Sequence, residues 1–178
     1  QRLGITTVFV THNQDEAFEM SDRVVLLNQG RVEQLGSPEE MYDLPASRFA
    51  AEFIGETNLF EGRVARANGA SVSIEVQGGR RFDARFGQGG YSNGDDVYLM
   101  VRPERVEIDL DAPANGLAIA AKVTKRVFSG DMIALTLRTS EGLEFLSRMP
   151  SLACYRNLSP GDAVWLRPED CRALPRSR

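Results

Sequence analysis

A single histidine, His12, stands in this chain of 178 residues. It stands two positions after Ile5 to Val10, "ITTVFV", a short run that is β-branched and nearly all apolar. That pattern belongs to a strand buried on both faces, as in a parallel sheet. Ligands of α/β sheets bind at the carboxyl ends of such strands, and an imidazole there can hydrogen-bond a phosphate oxygen. The same place also suits an ordinary loop or capping histidine, and position alone leaves both readings open. One histidine excludes a multi-His metal site, and no Cys-x-x-Cys is present. "GYSNG", Gly90 to Gly94, matches G-x-S-x-G around Ser92. A nucleophile elbow joins a strand to a helix, whereas Ser92 lies between two β runs among turn formers, so it reads as a turn. A phosphate-cradling loop needs Gly-Lys-Ser/Thr. The two lysines, Lys122 and Lys125, follow Ala121 and Thr124. Asp15 and Glu16 are adjacent, but polar residues rather than an apolar strand precede them. The chain lacks the parts to hydrolyse ATP by itself.

The elements that must position His12 can be read in turn. "THNQDEAFEM" predicts a short helix with Asn13 as N-cap and Asp15 and Glu16 at its positive end. Val24 to Leu27 and Val32 to Leu35 flank Asn28-Gln29-Gly30 and predict a hairpin. "SPEEMY" predicts a helix: Ser37 caps, Pro38 takes the first position, Glu40 completes a capping box, and Pro45 ends it. A second helix is expected near Ala46 to Ile54, with Phe49 and Phe53 on one face and Gly55 as its stop.

After Asn58 helical periodicity gives way to short alternating runs cut by Gly, Asn and Asp, an all-β pattern. A boundary is therefore expected there, dividing residues 1–58 from 59–178. Charge divides similarly, with four Arg against ten Asp and Glu through Asn58, and 17 basic against 15 acidic residues beyond it. The β region repeats: "GDDVYLMVRPERVEI" from Gly94 and "GDAVWLRPEDCRAL" from Gly161 both run into Arg-Pro-Glu. "SVSIEVQGGRRFDAR" likewise parallels "IALTLRTSEGLEFLSR". Two similar halves are expected, about 59–109 and 117–174.

A net charge of −4 gives no sign of a nucleic-acid-binding protein as a whole. Phe82, Phe86, Tyr91, Tyr98 and Phe128 lie among Arg80, Arg81, Arg85 and Arg102, which resembles a stacking face. Alternation favours core aromatics and solvated arginines instead. Each Arg-Pro-Glu reads as a strand-ending Pro with Arg and Glu pairing locally. Cys154 and Cys171 are too few for a disulfide framework and read as thiols of a cytosolic protein. No signal peptide is visible in Gln1 to Val10, and no apolar run approaches the ~20 residues of a membrane span.

Residues Val8 to Asn58 resemble the end of the ATP-binding cassette subunits of bacterial importers, of the group serving polyamine, sulfate, iron and sugar importers. The family pattern V-T-H-D-Q-x-E-A is met by Val10-Thr11-His12-Asn13-Gln14-Asp15-Glu16-Ala17, with Asn13 where the family has Asp. The later residues resemble that group's transport-associated OB domain, a small Greek-key β unit. "GETNLFEGRV" most resembles the polyamine branch.

The resemblance implies a mainly β chain with a small α/β N-terminal remnant and a duplicated OB-like β-barrel regulatory domain. It makes His12 the switch histidine that contacts the γ-phosphate of ATP in an intact subunit. ATP and Mg²⁺ would belong to that longer protein, with neither expected on this chain. It implies a homodimer, transmembrane permease subunits as partners, a possible small regulatory ligand, and a place on the cytoplasmic face of the membrane. The phosphate loop and Mg²⁺-binding acids would lie upstream of Gln1, leaving Ile5–Val10 without its sheet. The alternative is a stand-alone OB-type ligand- or nucleic-acid-binding module.

Overall fold

The computed structural model describes residues 4–69, 71–86, 90–113 and 118–176. The expected strand at Ile5–Val10 is not formed; the segment is irregular, and Val8 and Val10 are 87% and 90% exposed. A parallel strand takes its hydrogen bonds from neighbouring strands, and no described strand pairs with this one.

The predicted helix forms as α1 (Gln14–Met20), with the Asn13 side chain accepting from the Asp15 N–H at 3.0 Å. The hairpin follows as β1 (Val24–Asn28) and β2 (Arg31–Gly36). Its two-residue loop, Gln29-Gly30, has positive φ at both positions (50° and 77°), as tight hairpins require. Two short helices come next, α2 (Pro38–Asp43) and α3 (Arg48–Ile54). Ser37 and Glu40 form the full capping box that the sequence predicts, and Ser47 caps α3. Leu26, Met41, Ala50 and Ile54 bury together, with Phe18 of α1 packed against them. The Gln34 amide stitches the α2–α3 connection to β2, donating to Leu44 O and accepting from Ala46 N–H.

The remainder is β. Strands β3 (Asn58–Asn68), β4 (Ser71–Val76), β5 (Arg81–Phe86) and β6 (Asp96–Val101) precede β7 (Val106–Asp109). The second series is β8 (Ile119–Ser129), β9 (Met132–Thr139), β10 (Glu144–Pro150), the short helix α4 (Ala153–Arg156), β11 (Ala163–Pro168) and β12 (Arg172–Pro175). One closed barrel has the order β12-β5-β4-β3-β6, and a five-stranded sheet has the order β10-β9-β8-β11-β7. Each half thus lends its last strand to the other, β7 to the second sheet and β12 to the first barrel. The start of the second half, Leu117, lies outside the described residues.

The repeat is visible atom by atom. The register shifts once in each half, between Val64 and Arg66 and between Val123 and Lys125. Gly94 N–H donates to Val64 O and Gly161 N–H to Val123 O, both at 2.8 Å. Tyr91 and Tyr155 each send their hydroxyl to a carbonyl of the exchanged strand, Ala173 O at 3.2 Å and Ile108 O at 3.1 Å. A single core runs through both halves, with the ring of Phe145 of β10 tilted against those of Phe60 and Phe82 of the first. No helix among the described residues is long and apolar enough to cross a membrane.

Candidate functional site

His12 sits exposed on the turn that leads into α1. Thr11 fixes that turn from the other side. Its hydroxyl oxygen accepts from the Asn13 N–H at 2.9 Å and donates to the Glu16 carboxylate at 2.8 Å. Asn13, where the resembling family has Asp, keeps the cap through its amide oxygen. Gln14 then reaches across to α3, donating its amide to Phe53 O. The His12 turn is therefore anchored at a helix end 39 residues further on.

That helix end is the meeting point of the helical segment and the β region. Arg102, expected to pair with Glu104, does not. It is 4% exposed, and its guanidinium donates to the carbonyls of Tyr42 (2.8 Å), Ala51 (3.0 Å), Gly55 (3.3 Å) and Glu56 (3.3 Å). Carbonyls at a helix end have no partners within the helix, so a buried cation satisfies them in one stroke. The guanidinium also lies 4.1 Å from the centre of the Tyr42 ring. Burial pulls its pKa below the ordinary arginine value. Glu104 instead accepts from the Tyr42 hydroxyl at 2.7 Å, and burial together with that bond pushes the phenol up to about 12. The matching Arg167 behaves as the sequence suggests, pairing at the surface with Glu107 and Glu169. A strand-ending Pro with a local Arg–Glu pair is the same expectation for both motifs; the contact that separates them comes from a helix about 50 residues away in sequence.

Gly55 ends α3 in an extended conformation (φ 170°), not a left-handed one. Its lack of a side chain matters for space: a Cβ would come within 3.3 Å of the Tyr42 ring and 3.7 Å of the Arg102 guanidinium. Asn58, three residues on, is buried, and its side chain acts as a strand residue would. It accepts from Leu146 N–H at 2.6 Å and donates to Leu146 O at 2.9 Å. Glu56 pairs with Arg148 beside it. An open groove of about 400 Å³ begins at this pair and runs over β8 and β9, with Lys125, Val127 and Asp131 among its walls.

The remaining candidates separate. Ser92 is a turn residue, its N–H donating to the Asp95 carboxylate at 2.7 Å, and Ser159 does the same with Asp162 at 2.8 Å. Phe82 is core, Phe86 and Tyr91 pack against the core, and Phe128 is exposed on β8. Lys122 and Lys125 lie on β8, in the second sheet. Cys154 is an exposed free thiol and Cys171 a buried one. Among the described residues no three His, Cys, Asp or Glu cluster as a metal site.

Residues 99–174 match the TOBE domain family. Over most of its length the chain is similar to importer ATP-binding proteins. It is 41% identical to the spermidine/putrescine import ATP-binding protein PotA of Marinobacter nauticus, over 83% of this chain and 39% of that protein. It is 37% identical to the PotA of Thermobifida fusca over 98% of this chain and 46% of the relative. It is also 37% identical to the sulfate/thiosulfate import ATP-binding protein CysA of Bacillus cereus, over 96% and 46%. The chain thus spans less than half the length of these curated relatives. Among solved structures, the cytoplasmic molybdate-binding protein ModG, crystallised with molybdate, superposes with a TM-score of 0.55 over 65% of this chain and 92% of that one. At 20% identity this likeness establishes the OB-type fold alone.

Proposed function

We infer that this chain, which carries a TOBE domain and is homologous over most of its length to importer ATP-binding proteins, serves as the regulatory C-terminal part of an ATP-hydrolysing importer subunit. The observation that carries this reading is similarity over 78% to 99% of the chain to relatives named for spermidine/putrescine import. A polyamine is the solute that the names of these relatives favour. Such a subunit works as a homodimer on the cytoplasmic face of the membrane, against transmembrane permease subunits. The exposed apolar residues Val8, Val10, Val25, Leu27 and Val32 support the reading, since surface of this kind belongs under a further layer of structure.

His12 is the switch residue in this reading. ATP and Mg²⁺, bound mainly by other parts of the longer protein, supply the phosphoryl chemistry. His12 offers the γ-phosphate one hydrogen bond from a turn held by Thr11 and Gln14. The groove beside Glu56 and Arg148 is where a small regulatory ligand would act, next to the junction of the two segments. The test is ATP turnover by the longer protein, wild type against His12→Ala, with this chain alone run beside them. We expect His12→Ala to lose turnover by a factor of at least 100, and this chain alone to be silent. Unchanged turnover in His12→Ala overturns the switch assignment.

A further inference from the structure

The end of α3 is gripped from two directions. Gln14, two residues after His12, donates to Phe53 O. Arg102, on the segment that follows β6, donates to Ala51 O, Gly55 O and Glu56 O. Four carbonyls within six residues are thus divided between the His12 turn and the β region. Phe18 of α1 adds a packing contact to the same unit, beside Ala50 and Ile54. The other half of the grip is equally firm. Tyr42 is held by its carbonyl, its ring and its hydroxyl, all by Arg102 or Glu104. Beyond Gly55 the chain has no slack, because Asn58 is bonded into β10.

We propose that the end of α3 is a coupling element, and that Arg102 and Gln14 are positioning residues that fix the His12 turn to the β region through it. A displacement of β6 or β10 relative to α3 must then move Phe53 O, and with it the anchor of the turn that carries His12. Packed helices and bonded strands shift as units and do not deform continuously, so the coupling is stepwise. The duplicated motif supplies an internal comparison: Arg167 has the same neighbours in sequence but touches only surface carboxylates. If His12 contacts nucleotide as read above, the state of the β region reaches that contact by this route.

The test uses this chain and needs no nucleotide. Its single histidine gives one imidazole C2–H resonance, which reports on the turn, and amide hydrogen exchange reports on α3 and on β9. Arg102→Met should speed exchange in α3 at least ten-fold and move the His12 resonance, while β9 stays within two-fold of wild type. Gln14→Ala should move the His12 resonance and leave β9 unchanged, and adding Arg102→Met should move the resonance no further. Arg167→Met should leave α3 and His12 as they are. Tyr42→Phe, which removes only the bond to Glu104, should give the Arg102→Met pattern in milder form and serves if that variant does not fold. A stationary His12 resonance in Arg102→Met or Tyr42→Phe overturns the proposal. So does exchange that rises in β9 as much as in α3, the mark of a merely structural arginine. Turnover in the longer protein decides the switch assignment separately, so either idea can fail while the other stands.

Discussion

Ser147 on β10 donates its hydroxyl to the Val106 carbonyl on β7 at 2.7 Å, with the serine fully buried. In the first barrel the corresponding gap is bridged by backbone, where Arg172 and Ala173 of β12 pair with Arg85 and Phe86 of β5. In the second sheet β10 and β7 are the two edges, and side chains join them instead. Ser147 takes Val106 O, and Tyr155 takes Ile108 O two residues along the same strand. Edge strands left unpaired invite association with other chains; here hydroxyls from the same chain occupy the edge of β7.

Removing that hydroxyl leaves a buried carbonyl without its partner, at a cost of about 1–3 kcal/mol. Ser147→Ala is expected to lower the urea midpoint accordingly while leaving the slope unchanged, since the surface exposed on unfolding is the same. An unaltered midpoint would show that water or a shifted backbone replaces the bond.

The ion pair between Arg80 and Glu141 gives the fold an acid-sensitive tie between its halves. Hydrogen bonds from the Arg80 guanidinium, then from the Glu141 N–H and the Ser140 hydroxyl, hold the Glu141 carboxyl at about 2. A folded-state pKa below the unfolded one gives stability that is present above the unfolded pKa and lost as pH falls through the folded one. The stability difference between wild type and Glu141→Gln should therefore be constant from neutral pH to about 5 and vanish between about 5 and 2. Because the pair meets water, the difference should not exceed about 1 kcal/mol. Denaturation at several pH values checks both the window and the size.

The two thiols should differ in reactivity by orders of magnitude. Cys154 is exposed, whereas burial, followed by the nearby Glu169 and Asp170 carboxylates, pushes the Cys171 thiol up to about 12. The thiolate is the reactive form. Under native conditions a thiol reagent should modify one site promptly, with mass analysis placing it at Cys154. Cys171 should react at the rate at which the fold opens, and prompt modification of both would show that the junction between β11 and β12 opens freely.

Much of this molecule is legible from neighbours in sequence. Asn13, Ser37 and Pro38 start helices because a cap acts over two or three residues. Gln29-Gly30 makes the hairpin loop, and the pairing of Gly94 with Gly161 exposes the duplication, because turn chemistry and alternation are local properties. His12 could likewise be singled out by its place after an apolar run. Tertiary structure decided the rest. Ile5–Val10 has the composition of a buried strand, but a strand exists only by bonding to others. Arg102 and Arg167 share one motif; the first became a buried clasp because the end of α3 presents three carbonyls to it and Tyr42 of α2 a fourth, and the second pairs with carboxylates at the surface. The exchange of β7 and β12, and the capture of Leu146 by the Asn58 amide, join residues up to 88 positions apart. Such contacts depend on which surfaces packing brings together, and no local pattern of residue types encodes that.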